Sequence, residues 1–89
     1  MTDELEGLRG LGPVSARHLR AAGIASYDDL ERLGAVGAYR LVRDGWSQSS
    51  LNMLWALECA LLDIPHWLLP AGRKAELRAE LAAADSAAP

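Results

Sequence analysis

The sequence predicts an all-α fold, and three observations carry that expectation. The apolar residues are mostly Leu and Ala, with no Phe; both favour helices, while the β-branched residues that favour strands are few. Glycines at positions 10, 23, 34 and 45 divide the first half into short segments of helical periodicity. The segment Leu51–Leu62 is apolar on almost every side, the pattern of a helix at the centre of a bundle. A chain of 89 residues, 51% of them hydrophobic, buries about 60–65% of its unfolded surface and supports one core. The expectation is a compact bundle of about five short helices with an N-terminal helix-hairpin-helix-like unit. Residues 1–84 form one domain and 85–89 a frayed tail.

Residues 3–9 read as a short helical turn with Leu5 and Leu8 inward, ended by Gly10. Leu11 is the apolar plug of a hairpin. Gly12 caps the next helix and Pro13 takes its first position, where a missing N–H costs nothing. That helix runs to about Ala22, with Ala16, Leu19 and Gly23 on its inner face. Gly23 stops it and Ile24 returns to the core. Ser26 is the next N-cap, with Asp28 and Asp29 in a first turn that favours negative charge. Leu30 and Leu33 point inward until Gly34 ends the helix. Ala35–Asp44 forms a further helix with Val36, Tyr39, Leu41 and Val42 on apolar sectors, closed by Gly45.

The polar connector WSQSS offers serine N-caps for Leu51–Leu62. That helix keeps only a thin polar stripe at Asn52 and Glu58, and Glu58 either reaches solvent there or caps a neighbouring backbone group. Ile64-Pro65 ends it, because the residue before proline avoids the helical region. HWLLP is a loop or short turn. Pro70 opens a last helix over about Ala71–Ala83, with Leu77 and Leu81 inward and Arg73, Lys74, Glu76, Arg78 and Glu80 in solvent.

Charge is unevenly distributed. The formal net charge is −3, yet Leu8–Ser26 contains Arg9, Arg17 and Arg20 and no acid. The other six basic side chains face all twelve acids. An acidic chain does not bind nucleic acid by bulk attraction, so any such contact needs a local patch. The Gly10–Pro13 turn supplies one. The first turn of a helix has N–H groups without internal partners at the positive end of the helix dipole. Glycine also lets a phosphate approach the backbone closely. The candidate phosphate-binding residues are Gly10, Leu11, Gly12, Val14 and Ser15 through their amides, with the Ser15 hydroxyl and the guanidinium groups of Arg17 and Arg20. The two arginines share a face at i, i+3. Such contacts position a protein on DNA without reading bases, and binding in the non-specific range of roughly 10⁻⁴–10⁻⁶ M is expected. The same turn also reads as a tight link between two packed helices, with its arginines as solvated surface.

Other residues point away from catalysis. His18, His66 and Cys59 lack zinc-ligand spacing, and neither a metal nor a cofactor is implied. His18 is expected on the exposed side of its helix and His66 in a loop or cap. Asp63 with His66 forms at most a hydrogen-bonded pair. Cys59 reads as a buried, inert thiol. Trp55 belongs in the core, while Trp46 and Trp67 seal its edges; an exposed one would mark a partner surface. No local signature assembles an acid, a base and a pocket. A single cysteine excludes an internal disulfide and fits a reducing cytoplasm. The N-terminus lacks a signal-peptide pattern, and no apolar run reaches membrane-spanning length.

The stretch GLGPVSARHLRAAGIASYDDLERLGAVGAYRLV followed by LNMLWALECALLDIPHWLLPAGRKAEL resembles the C-terminal domain of TfoX/Sxy proteins, bacterial regulators of DNA-uptake competence. The resemblance runs from about Leu8 to Leu81, and LGAVGAY and LNMLWALE are its more specific parts. It implies an all-α, helix-hairpin-helix-like domain. It also implies an accessory role in competence-gene transcription, in company with the cyclic-AMP receptor protein. TfoX proteins commonly carry a further domain ahead of this one, so the chain reads as a stand-alone copy. The expected function is a non-catalytic module that contacts DNA phosphates weakly. The alternative is a protein-interaction module that keeps the fold without DNA; the acidic surface including Asp28, Asp29 and Glu31 suits a basic partner.

Overall fold

The computed structural model describes Leu5, Gly7, Leu8, residues 11–46 and residues 49–87. Among these, four α-helices follow one another with no strand: α1 (Pro13–Ala21), α2 (Tyr27–Gly45), α3 (Leu51–Leu62) and α4 (Ala71–Ala87). A 3₁₀ turn, His66–Leu68, separates α3 from α4. The Cα radius of gyration, 12.3 Å, matches the roughly 12 Å of a compact chain this long.

Local chemistry sets each boundary. Pro13 stands at the first position of α1 behind an extended Gly12. At the other end Gly23 adopts φ 91° and donates its N–H to the Arg20 carbonyl, while Ile24 donates to Leu19 at 2.9 Å. Leu19 and Ile24 are both buried, which completes a Schellman ending. Ser26 caps α2 by accepting the Asp29 N–H at 3.1 Å, and the Asp29 carboxylate accepts the Ala25 N–H at 3.1 Å. This reciprocal pair is a variant of the capping box. Asp63 closes α3 in the left-handed conformation, φ 55°, and the Ile64 N–H returns to the Cys59 carbonyl.

The helix count differs from the expected five or so. Tyr27–Gly45 counts as one element, but Gly34 is non-helical at φ 73°, ψ 169° and kinks α2 into two helical segments, the end and restart that the sequence places at Gly34 and Ala35. Residues 3–9 and Gly10 fall largely outside the described residues, so the first half of the expected hairpin unit is not defined. What is described there agrees with an inward turn: Leu5 is buried, and Leu8 and Leu11 donate to the carbonyls of Leu5 and Leu8.

The core lies mainly between α2 and α3, with Ala16, Leu19, Leu30, Tyr39, Val42, Leu54, Leu57 and Leu77 fully enclosed or nearly so. The second half of α2 contributes Ala35, Ala38, Tyr39 and Val42, an i, i+3, i+4, i+7 stripe. The larger Leu41, expected inside, is 43% exposed, as is Leu33 at 42%. The inward stripe of this segment passes through its alanines, and Leu33 sits in the turn where the break at Gly34 redirects the chain. Tyr27 ties the start of α2 to the end of α3 by donating its hydroxyl to the Leu61 carbonyl at 2.9 Å.

Three side chains expected in solvent or on a polar stripe are tied down instead. Glu58 is 6% exposed and accepts from Arg73 Nε at 2.5 Å, a link from α3 to α4 in place of a solvent contact or backbone cap. Arg73 is thereby drawn off the solvent face. Lys74 stands over the Trp55 ring, 5.8 Å from its centroid. The last helix also outruns its expected end near Ala83: residues 85–87 are helical rather than frayed. Asp85 holds them by accepting from Arg40 and Arg43 on α2.

Candidate nucleic-acid interface

No described side chain caps the mouth of α1. Its first turn carries no acid, and Gly12 has no side chain to cap it. A Cβ built on Gly12 meets none of the described residues within 4 Å. Val14 is 51% exposed and Ser15 half-buried. The amides of Val14 and Ser15 have no acceptor among the described residues, since the helical bonds begin with Ala16 donating to Gly12 at 2.9 Å. Leu11 differs from its neighbours. It is buried, and its N–H already serves the Leu8 carbonyl at 3.2 Å, so it plugs the turn and presents no outward donor. Gly10 lies outside the described residues.

Arg17 and Arg20 are exposed on the following turns of α1. Arg17 makes no ion pair with a described residue. The structure thus assembles Gly12, Val14, Ser15, Arg17 and Arg20 on one short helix whose positive dipole end faces outward.

A second helix start lies beside the first. The α3 N-cap, Ser50, makes no side-chain cap bond, and the first turn of α3 also lacks acids. Ser15 from α1 and Ser49, Ser50 and Asn52 from the connector and α3 line one groove of about 280 Å³, walled by Trp46 and Met53. The Ser49 hydroxyl oxygen is buried and has no hydrogen-bond partner among the described residues. The sequence named these serines as N-cap candidates; it gave no sign that their helix start adjoins that of α1.

The link between the two is an aromatic stack. The His18 and Trp46 rings lie 3.8 Å apart at an interplanar angle of 4°. His18 is therefore half-buried against the connector instead of on an open helix side. Trp46 seals an edge as expected, but Trp67 does not: it is 73% exposed, with Leu68 exposed next to it and Leu62 exposed at the end of α3. A separate hollow of about 410 Å³ is lined by Trp55, Cys59, His66 and Lys74 among others. Cys59 is buried, and burial pushes its thiol above the ordinary range, with the Glu58 charge adding to the shift. This is the neutral SH of a packing residue.

Among the described residues no helix is long and apolar enough to cross a membrane. The chain matches the family model described as the TfoX C-terminal domain over residues 1–81. It is similar to two crystal structures of proteins from Listeria monocytogenes. One is described as an uncharacterised protein in a triclinic form, at 30% identity and TM-score 0.79, covering 83% of this chain and 84% of that one. The other, a protein of unknown function in a tetragonal form, has 30% identity and TM-score 0.78, covering 83% of this chain and 91% of that one. No curated protein matches.

Proposed function

The chain belongs to the TfoX C-terminal domain family, and from that premise we propose that it is a non-catalytic accessory module of transcription regulation, in the competence setting the family suggests, which contacts DNA phosphates through the mouth of α1. The observation that carries this reading is the uncapped first turn: outward amides of Val14 and Ser15, an open approach at Gly12, and Arg17 and Arg20 one and two turns deeper. Backbone amides and guanidinium groups at a helix start fit an oxyanion. Two or three phosphates neutralised give a salt slope of about −2 to −3 and affinity in the non-specific range. An amide chemical-shift titration with short duplex DNA tests the reading. Shifts concentrated at residues 10–20 that fade as salt rises are expected. Shifts elsewhere only, or none, remove it.

One observation favours a second reading, a module that binds a protein. Leu62, Trp67 and Leu68 expose apolar surface around the 3₁₀ turn, and Trp is a frequent anchor of interfaces. A complex that survives nuclease digestion and is lost in Trp67→Ala would favour this reading over the first.

A further inference from the structure

Arg40 and Arg43 stand one turn apart on the second half of α2 and converge on a single carboxylate. Arg43 donates Nη1 to Asp85 Oδ2 at 2.9 Å and Nη2 to Asp85 Oδ1 at 2.7 Å. Arg40 adds Nε to the same Oδ1 at 3.1 Å. Three N–H groups from two planar forks thus surround two oxygens, a geometry that serves carboxylate and phosphate alike. Tyr39 supports the arrangement from below, its ring centroid 5.7 Å from the Arg43 guanidinium carbon. Beside the pair, α2 is hollowed to about 340 Å³ between Gly37, Leu33, Leu41 and Asp44, so a ligand can reach the arginines from the side.

The group that fills this clamp is weakly tethered. Leu77 is the last fully buried anchor of α4 and Leu81 is half-buried. Beyond them come three alanines and then Asp85, which is the one described side chain that binds the end of α4 to α2 by hydrogen bonds. The arginines and Asp85 each remain about a third exposed. Water and ions therefore reach the contact and compete with Asp85 for the two guanidinium groups.

We infer that Arg40 and Arg43 form a binding site for a phosphate oxyanion, which Asp85 occupies as an internal substitute in the free protein. An incoming phosphate displaces the carboxylate, releases the last turn of α4 and keeps all three donors satisfied. Among the described residues the acid left beside the pair is Asp44, so removal of Asp85 turns a neutral cluster into one of net positive charge. This site is separate from the mouth of α1, and the two stand or fall independently.

The test follows the Nε–Hε resonances of Arg40 and Arg43 in the full chain, wild type and Asp85→Ala, titrated with inorganic phosphate. Removing a competitor of exposed ion-pair strength tightens apparent phosphate affinity roughly two- to sixfold. The gain is expected at those two resonances and at the backbone amides around them, and the amide shifts are lost when Arg40→Gln and Arg43→Gln are added. Glu31→Gln, which removes the same charge from an exposed site elsewhere, gives no such gain. A parallel titration with short duplex DNA separates the sources. The same resonances moving with DNA identifies the polymer backbone, and movement with inorganic phosphate alone identifies a small phosphate. If Asp85→Ala, with its core amide pattern intact, binds phosphate no better than wild type at Arg40 and Arg43, the inference is overturned.

Discussion

Gly34 and Gly37 are three residues apart, and the structure assigns them opposite demands. At Gly34 the backbone takes φ 73° with ψ 169°, a region that side-chain-bearing residues occupy only under strain. Gly34→Ala is expected to cost about 1–3 kcal/mol. Gly37 is helical, and a Cβ there meets Leu33 Cβ at an ordinary 3.5 Å. Gly37→Ala is therefore expected to stabilise by up to about 1 kcal/mol. Chemical denaturation of the two variants reads the difference; equal effects would contradict the break in α2. Glu58 and Arg73 form a second contrast. The carboxylate side chain is 7% exposed and the guanidinium side chain 34%, so losing the arginine strands a buried charge while losing the acid does not. Arg73→Ala is expected to cost about 1–3 kcal/mol, and Glu58→Gln, which keeps an acceptor, less. The reverse order in denaturation midpoints would show that the burial of Glu58 is misjudged.

Element by element, what the sequence made legible was local. Pro13 and Gly23 bracket α1, Ser26 with Asp29 opens α2, and the uniform apolarity of Leu51–Leu62 marks α3, because each of these signals acts within a few residues. The misreadings arose where a distant partner decides. Glu58 and Arg73 are 15 residues apart and Asp85 lies 42 from Arg43, and no periodicity announces either pair. The same limit applies to the site. The open first turn of α1 follows from Gly-Leu-Gly-Pro, but the groove it shares with the start of α3 depends on the fold, as does the inward use of the Leu11 amide. The end of α4 carries a prediction of its own. The hydrogen bond from Arg43 holds the Asp85 carboxyl below its usual 3.8, and the Ala25 amide does the same for Asp29. Folded-state values below the unfolded ones contribute stability that is present above the ordinary carboxyl range and lost as pH falls through the folded-state values. Thermal melts from neutral pH down to about pH 2 should therefore show a shallower acid-side decline in Asp85→Asn and Asp29→Asn than in wild type. Parallel declines would contradict these two contacts.

At the scale of the whole molecule, charge is unevenly spread along the chain: Leu8–Ser26 carries three arginines and no acid. The formal charge of −3 repels a polyanion in general, so contact depends on presenting α1 end-on. The His18–Trp46 stack fixes that presentation by holding α1 against the connector that leads into α3. Arg17, exposed and without an ion pair among the described residues, is the side chain on which the account bears most directly. The decisive measurement is the salt dependence of duplex-DNA affinity for wild type and Arg17→Gln. A log–log slope that loses about one unit in the variant, with affinity reduced alike on unrelated sequences, is the predicted result for one lost phosphate contact. An unchanged slope in a folded Arg17→Gln protein would contradict phosphate binding at the mouth of α1.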